Sequence, residues 1–217
     1  MTFGNILIIL AKGAGYTILV TLAGIGAGLA VGLLIAVLQT TKVKAVQLLL
    51  AAYTFVFRSI PLLVLLFIVF FGLPGMGIRI PPFLSMVLCL GLVSGAYLAE
   101  IFRGAMAAVS RDEITAAEAM GMKRVQIFFY IIWPQMFRMA VPGMVNEFTS
   151  VLKYTPFAYT VGIPEIMKEA MSLAALTLRG LEIYLAVGII YYLIYKAFVL
   201  LFETLEKRFR IPGLAGE

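Results

Sequence analysis

The sequence has 217 residues, of which 63% are apolar and 13% are charged; 17 Lys and Arg outnumber 11 Asp and Glu, and the mean hydropathy is +1.05. Because soluble domains carry about a quarter charged residues, this composition excludes an ordinary soluble protein and predicts one that lies in a membrane. The absence of His and the single Cys exclude His-based catalysis and clusters of the usual zinc ligands, so we expect neither a metal site nor a cofactor.

Five segments are long enough to cross a hydrocarbon core of about 30 Å, which takes about 20 helical residues. Three of them carry no charge, and the last two are interrupted by a few charged residues. No shift in composition divides the chain. We therefore predict one all-α integral membrane domain, residues 1–217, with about five transmembrane helices. In chain order the five segments are residues 16–38, 59–78, 80–99, 125–152 and 183–202.

The basic residues outside these segments predict the orientation. With the N-terminus outside, nine Lys and Arg fall on the inner side and four on the outer side, so the positive-inside rule favours N-out and C-in in the cell membrane. They are not interleaved with aromatic residues, which argues against a nucleic-acid partner despite the net charge of +6. The inner residues are Lys42, Lys44, Arg103, Arg111, Lys123, Arg124, Lys207, Arg208 and Arg210; the outer ones are Lys12, Arg79, Lys168 and Arg179.

Glycine and proline mark the packing of the first two segments. Gly24, Gly28 and Gly32 form a small-xxx-small ridge that allows another helix to approach closely. Pro61, shortly after Arg58, predicts a bend at the start of the second segment. The Gly- and Pro-rich run 72–82 predicts a short outer turn.

A charged, Ala-rich stretch begins at Arg111, on the predicted inner side. Ser110 and Glu113 have the spacing of a capping box, in which the Ser side chain accepts from the backbone N–H of Glu113 and the Glu side chain reaches back. Gly121 can take the left-handed conformation that ends a helix. The stretch therefore predicts a short exposed helix hinged at Gly121.

A second helical segment follows, with four apolar residues on one face, and Pro134 is expected to interrupt it before the next span. The short helix before it has two interpretations: an ordinary solvated loop helix, or a docking helix whose small alanines fit a groove on an inner partner. The apolar face is Val125, Phe128, Phe129 and Ile132, and the alanines are Ala116, Ala117 and Ala119.

This loop resembles the signature loop of the membrane subunits of ABC importers, which reads E-A-A, three residues, Gly, nine residues, then I-x-L-P. Gly121 is followed by nine residues and then by "IIWP", which ends at Pro134. Counting back from Gly121 places Thr115 where the signature has its glutamate, and Glu118 is three residues out of register. The hypothesis is that Glu118, alone or together with Glu113, supplies the missing negative charge; a solvated surface glutamate is the alternative.

Three further stretches resemble the permeases for polar amino acids, of the histidine, glutamine, arginine and opine class. "FRSIPLLVLL" (57–66) is similar to F-R-G-T-P-L-L, "GAYLAEIFRGAM" (95–106) to A-Y-x-x-E-I-x-R-G, and "NEFTSVLKYTPF" (146–157) to N-E-x-x-x-x-L-K-x-(S/T). The resemblance covers most of the chain. It implies a type I importer in which two permeases form the pathway, two ATPase subunits lie beneath, and an extracytoplasmic binding protein delivers the solute. The chain contains no G-x-x-x-x-G-K-[ST] motif, which fits ATP hydrolysis on a separate subunit.

The resemblance also assigns residues. It implies docking to the ATPase by Thr115, Ala116, Ala117, Glu118, Gly121 and Pro134, and a substrate pathway near Asn146, Glu147, Lys153 and Thr155. Charged residues in spans usually face a cavity or a partner; Glu147 and Lys153 suit an amino-acid zwitterion, or an internal ion-pair network. Structural roles are expected for Arg58, Pro61, Tyr97, Glu100 and Arg103. The alternatives are an ABC permease for another solute, such as an osmolyte or metal ion, and a stand-alone channel or secondary transporter.

Overall fold

A computed structural model describes residues 3–41 and 43–209, so Lys42 and Arg210 of the orientation argument lie outside the described residues. The described chain is helical and contains no strand. The helices are α1 (Phe3–Leu38), α2 (Lys44–Ser59), α3 (Leu62–Phe67), α4 (Pro82–Ala107), α5 (Arg111–Ala119), α6 (Arg124–Ile127), α7 (Trp133–Tyr154), α8 (Ile166–Thr177) and α9 (Gly180–Phe209).

The pair α1 and α4 forms the centre of the fold, and the predicted glycine ridge forms their interface. A Cβ built on Gly24, Gly28 or Gly32 lies within 3.0 Å of a side chain of α4: Leu90, Ser94 and Leu98 respectively. The partner residues advance along α4 as the glycines advance along α1, so the two helices run in parallel. The small-residue pattern thus predicted both the contact and its closeness.

Pro61 separates α2 from α3, as predicted. The two helical segments, Lys44–Ser59 and Leu62–Met76, meet at an angle of 100°. Pro61 has no backbone N–H to continue the ladder of α2, and it takes the N-cap position of α3 with an extended ψ of 132°.

By length and composition, three described helices can cross a membrane, Ile6–Leu38, Pro82–Ala107 and Gly180–Phe202, and the bent pair can supply a fourth. The predicted fourth segment, 125–152, falls mainly on α7, which is long enough but carries Arg138, Glu147 and Lys153. The five-span count therefore stays a prediction.

Two hydrophobic clusters hold the helices together. The larger one lies between α1, α3, α4 and α7 and contains Cys89, which is buried as a small core residue. The smaller one joins the first turns of α1 to α8 and α9. Because α1 contributes to both clusters, it connects helices α8 and α9 to the centre of the fold.

Candidate functional site

A cationic and aromatic pair lies where α2 ends against α4. The guanidinium carbon of Arg58 lies 5.1 Å from the centre of the Tyr97 ring, a distance at which a cation is attracted to the ring face. The Tyr97 hydroxyl lies 3.5 Å from the backbone oxygen of Arg58, to which it donates. Tyr53 donates to the backbone oxygen of Leu92 at 2.7 Å and holds α2 on α4. These contacts bring together two residues for which structural roles were predicted.

Glu147 lies on α7, which packs against α4. Gly143 packs on Ile101 of α4, and one turn further along α7 the side chain of Glu147 is only 6% exposed. Tyr154 lies two turns beyond Glu147 on the same helix, and both Tyr154 and Tyr97 pack against the larger hydrophobic cluster. Helices α4 and α7 therefore carry a buried carboxyl group and two tyrosines around a common core. Together, Arg58, Tyr97, Glu147 and Tyr154 are named the central polar site.

Two other predicted pathway residues lie on an exposed side of α7. Asn146 and Lys153 are exposed, and Lys153 makes no ion pair with Glu147. Among the described residues, salt bridges join only Glu100 to Arg103 and Arg179 to Glu182. Neither Glu147 nor Lys153 therefore takes part in an internal ion-pair network within the described residues.

Thr155 is buried, and its hydroxyl bonds to the Leu152 backbone oxygen at 2.7 Å and meets the Tyr191 hydroxyl at 3.3 Å. Glu100 and Arg103 form a close pair at 2.7 Å on the last turns of α4, in keeping with the expected structural role.

The loop after α4 begins and ends its first helix as predicted. Ser110 is the N-cap of α5, and Gly121 has φ of +78°. The backbone N–H of Gly121 donates to Glu118 O at 3.0 Å and that of Met122 to Ala117 O at 3.1 Å. This is a Schellman arrangement, which needs a left-handed residue after the C-cap and therefore favours Gly there.

The predicted capping box is wrong in its details. Ser110 Oγ accepts from the backbone N–H of Asp112 at 3.2 Å, and not from that of Glu113. The Glu113 carboxylate turns away from the N-cap and accepts a hydrogen bond from the side-chain amide of Gln135, 22 residues later in the sequence. A tertiary partner has taken the place of the local one.

The predicted docking residues lie on different sides of α5. Thr115, Ala116, Glu118 and Gly121 are exposed, but Ala117 is buried at 3% exposure. Ala117 therefore packs inside the chain and is not presented to a partner, because its methyl group faces the body of the protein. The Thr115 hydroxyl donates back to Arg111 O at 2.9 Å.

Pro134 does not interrupt the helical segment that begins after Gly121, so the predicted break is wrong. Helical structure continues through α6, a π-helical turn at Phe128–Ile132 and α7. Pro134 is the second residue of α7, directly after the wider π turn. Because proline lacks an N–H and crowds the carbonyl four residues earlier, a π turn ahead of it lets the helix continue where a regular turn would break.

A cavity of about 1060 Å³ lies between the ends of α1, α2 and α4 and the loop. All four residues of the predicted apolar face line it, which confirms that they share a face, and Ile127 joins them. Glu118 lines the cavity too, together with two cationic side chains, those of Arg103 and Arg124. The four residues of the apolar face are Val125, Phe128, Phe129 and Ile132.

Glu165 is a buried polar residue that the sequence reasoning missed. Its side chain is the N-cap of α8 and accepts from the backbone N–H of Met167 and Lys168, each at 2.8 Å. The hydroxyl of Tyr191 donates to it at 3.2 Å. Burial raises the pKa of Glu165 to about 7, against the lowering effect of these three hydrogen bonds. Glu is not a usual N-cap residue, so the sequence offered no capping signal.

A family model described as "binding-protein-dependent transport system inner membrane component" matches residues 28–211. The chain is 32% identical to the L-cystine transport system permease protein TcyB of Bacillus subtilis, over 92% of this chain and 86% of that protein. It is 29% identical to the glutamine transport system permease protein GlnP of Escherichia coli, over 94% of both chains.

Solved structures agree with these matches. A crystal structure of an amino acid ABC transporter with histidines superposes with a TM-score of 0.88 at 29% identity, covering 96% of this chain and 99% of that one. The MetNI methionine ABC transporter in an inward facing conformation superposes with a TM-score of 0.80 over 97% of this chain and all of the other. At 18% identity, the second likeness concerns the fold alone.

Proposed function

The chain belongs to the family of binding-protein-dependent transport system inner membrane components and is a permease subunit of an ABC importer, and we propose that it carries polar amino acids across the cell membrane. In this proposal the chain is a multi-pass protein of the cytoplasmic membrane with its N-terminus outside and its C-terminus inside. Relatives named for L-cystine and glutamine transport support the substrate class.

The observation in this chain that carries the proposal is the buried Glu147 of the central polar site. A charged group inside a membrane protein is costly unless it meets an opposite charge, and Glu147 makes no salt bridge within the described chain. An amino acid brings an ammonium group for Glu147 and a carboxylate for a guanidinium such as that of Arg58. Arg58 stacks on the Tyr97 ring of α4, the helix against which α7, the helix of Glu147, packs.

The proposed partners follow from the division of labour in the family. Two copies of this chain, or this chain and a paralogue, form the pathway; separate ATPase subunits hydrolyse ATP; and an extracytoplasmic solute-binding protein delivers the amino acid. We assign the loop 110–134 to ATPase docking, with Thr115, Glu118 and Gly121 as exposed contacts. Alternating inward and outward openings then require no covalent chemistry in this chain.

The test is uptake by the reconstituted complex. The chain is co-purified with its ATP-binding subunits, placed in proteoliposomes with the binding protein, and assayed with labelled amino acids and unlabelled competitors. Glu147→Gln is expected to lower uptake at least tenfold, or to change the order of competing amino acids, because the ammonium group loses its counter-charge. Glu182→Gln, which changes an exposed carboxylate of α9, is the matched control and is expected to behave as wild type.

Each other result has a distinct meaning. An unchanged rate and an unchanged competition order in Glu147→Gln would refute the role of Glu147. Import of an osmolyte or metal ion and of no amino acid would refute the substrate class. Transport that continues without ATP-binding subunits would refute the proposed partners.

A further inference from the structure

Helix α5 has few attachments to the rest of the chain. Ala117 is its only buried residue, and the hydrogen bond from Gln135 to Glu113 is the only side-chain bond that the described residues make between α5 and another helix. Gln135 lies in the first turn of α7, and Glu113 in the first turn of α5. The bond therefore joins the starts of two helices that are 22 residues apart in sequence.

The covalent path between these two helices contains a non-helical turn at residues 120–123. From α5 the chain passes through the left-handed Gly121, the four-residue α6 and the π turn Phe128–Ile132 before it reaches α7. Left-handed Gly121 is the residue of this path whose backbone angles can change without breaking a helix, so we expect a movement of α5 to be absorbed there before it reaches α7. The bond between Glu113 and Gln135 bypasses that path.

Helix α7 is placed to carry the movement onward. It is continuous from Trp133 to Tyr154, and its buried side chains Met136 and Ala140 pack into the larger hydrophobic cluster. Glu147 lies 12 residues beyond Gln135, which is about 18 Å along a helix. A displacement of Gln135 is therefore a displacement of the helix that carries the buried carboxylate.

We propose that the hydrogen bond between Glu113 and Gln135 is the link through which movement of α5 is transmitted to α7, so both residues are positioning residues for transport. The inference rests on the proposed function, in which α5 docks on the ATPase. It assigns Glu113 to transmission inside the chain, and leaves contact with the ATPase to other residues of α5.

The experiment uses the complete importer in proteoliposomes with its binding protein. Two quantities are measured: stimulation of ATP hydrolysis by the binding protein, and the number of solutes imported per ATP hydrolysed. Glu113→Ala and Gln135→Ala are each expected to lower the import ratio at least threefold. The double alanine variant is expected to be no worse than either single variant, because both remove the same bond. Glu182→Gln, which removes an exposed carboxylate of α9 outside the loop, is the control and is expected to keep the wild-type ratio.

A further variant distinguishes the link from general damage to the fold. Exchanging the two residues, Glu113→Gln together with Gln135→Glu, keeps one amide donor and one carboxylate acceptor and is expected to restore the import ratio to within twofold of wild type. Single alanine variants with a normal ratio, additive losses in the double variant, or no rescue by the exchange would overturn the link alone. A wild-type complex whose ATP hydrolysis drives no import would overturn the proposed function as well.

Discussion

Replacing Gly32 by Ala tests the close contact between α1 and α4. The added Cβ would lie 2.7 Å from Leu98 Cβ, 3.1 Å from Gly95 O and 3.2 Å from Ala99 N. None of these three atoms can move by rotating a side chain, because two belong to the backbone and the third is attached to it. The helices must therefore separate by several tenths of an ångström along the central interface.

The magnitude follows from a comparison with Gly26→Ala on the same helix. A Cβ on Gly26 meets nothing within 4 Å, so this variant gains only the helix propensity of Ala over Gly, about 1 kcal/mol. Gly32→Ala gains the same propensity and adds the cost of overpacking, about 1–3 kcal/mol. The two variants are therefore expected to differ by about 1–3 kcal/mol, with Gly32→Ala the less stable.

The assay is thermal unfolding of the purified complex in lipid nanodiscs, followed by the fluorescence of Trp133, the single tryptophan of the chain. A difference of 1 kcal/mol corresponds to about 2–4 °C in Tm for a domain of this length. We expect Gly32→Ala to unfold at least 2 °C below Gly26→Ala. Equal Tm values, or a higher Tm for Gly32→Ala, would refute the reasoning that the glycine ridge sets the helix separation.

Three further predictions concern the loop and the buried polar residue. Gly121→Val places a β-branched side chain at φ of +78°, a conformation that such residues rarely adopt, so the end of α5 should be distorted. Stimulation of ATP hydrolysis by the binding protein should therefore fall several-fold, and stimulation at the wild-type level would contradict a hinge at Gly121. Glu118→Ala should weaken the same stimulation. An unchanged stimulation would show that Glu118 is a solvated surface residue with no role in ATPase docking. Burial raises the pKa of Glu165 from 4.5 to about 7, so the folded chain keeps a proton that the unfolded chain loses between those values. The free energy of unfolding should fall by about 3 kcal/mol as the pH rises through that window, and Glu165→Gln should remove this fall; a Tm difference between wild type and variant that is constant from pH 5 to 8 would contradict it.

Local signals in the sequence predicted local structure well. The spacing of Gly24, Gly28 and Gly32 predicted the central interface, and Pro61 predicted the bend between α2 and α3. Ser110 and Gly121 predicted the ends of α5. Each of these rests on interactions within a few residues of the chain, or on a steric property of one residue type.

Long-range contacts escaped the same reasoning. Gln135 as the partner of Glu113 and Tyr191 as the partner of Glu165 depend on how helices fold back on one another, which no local pattern specifies. The prediction that Pro134 interrupts the helical segment was wrong, because the π turn ahead of Pro134 leaves the helix intact. The internal ion-pair network considered for Glu147 and Lys153 is not formed among the described residues, because Glu147 is buried without a charged partner and Lys153 is exposed.

The geometry of α5 separates two tasks that the sequence left open. Glu113 and Glu118 are five residues apart, which places them about 140° apart around a helix, so both cannot face the same partner. Glu113 is bonded to α7, and the Thr115 hydroxyl, at the position of the signature glutamate, is bonded to its own helix. Glu118 is then the carboxylate of this pair that is free to meet another subunit. In the two proposals, transmission within the chain and contact with the ATPase therefore belong to different glutamates, and the alanine variants of each should fail in different ways.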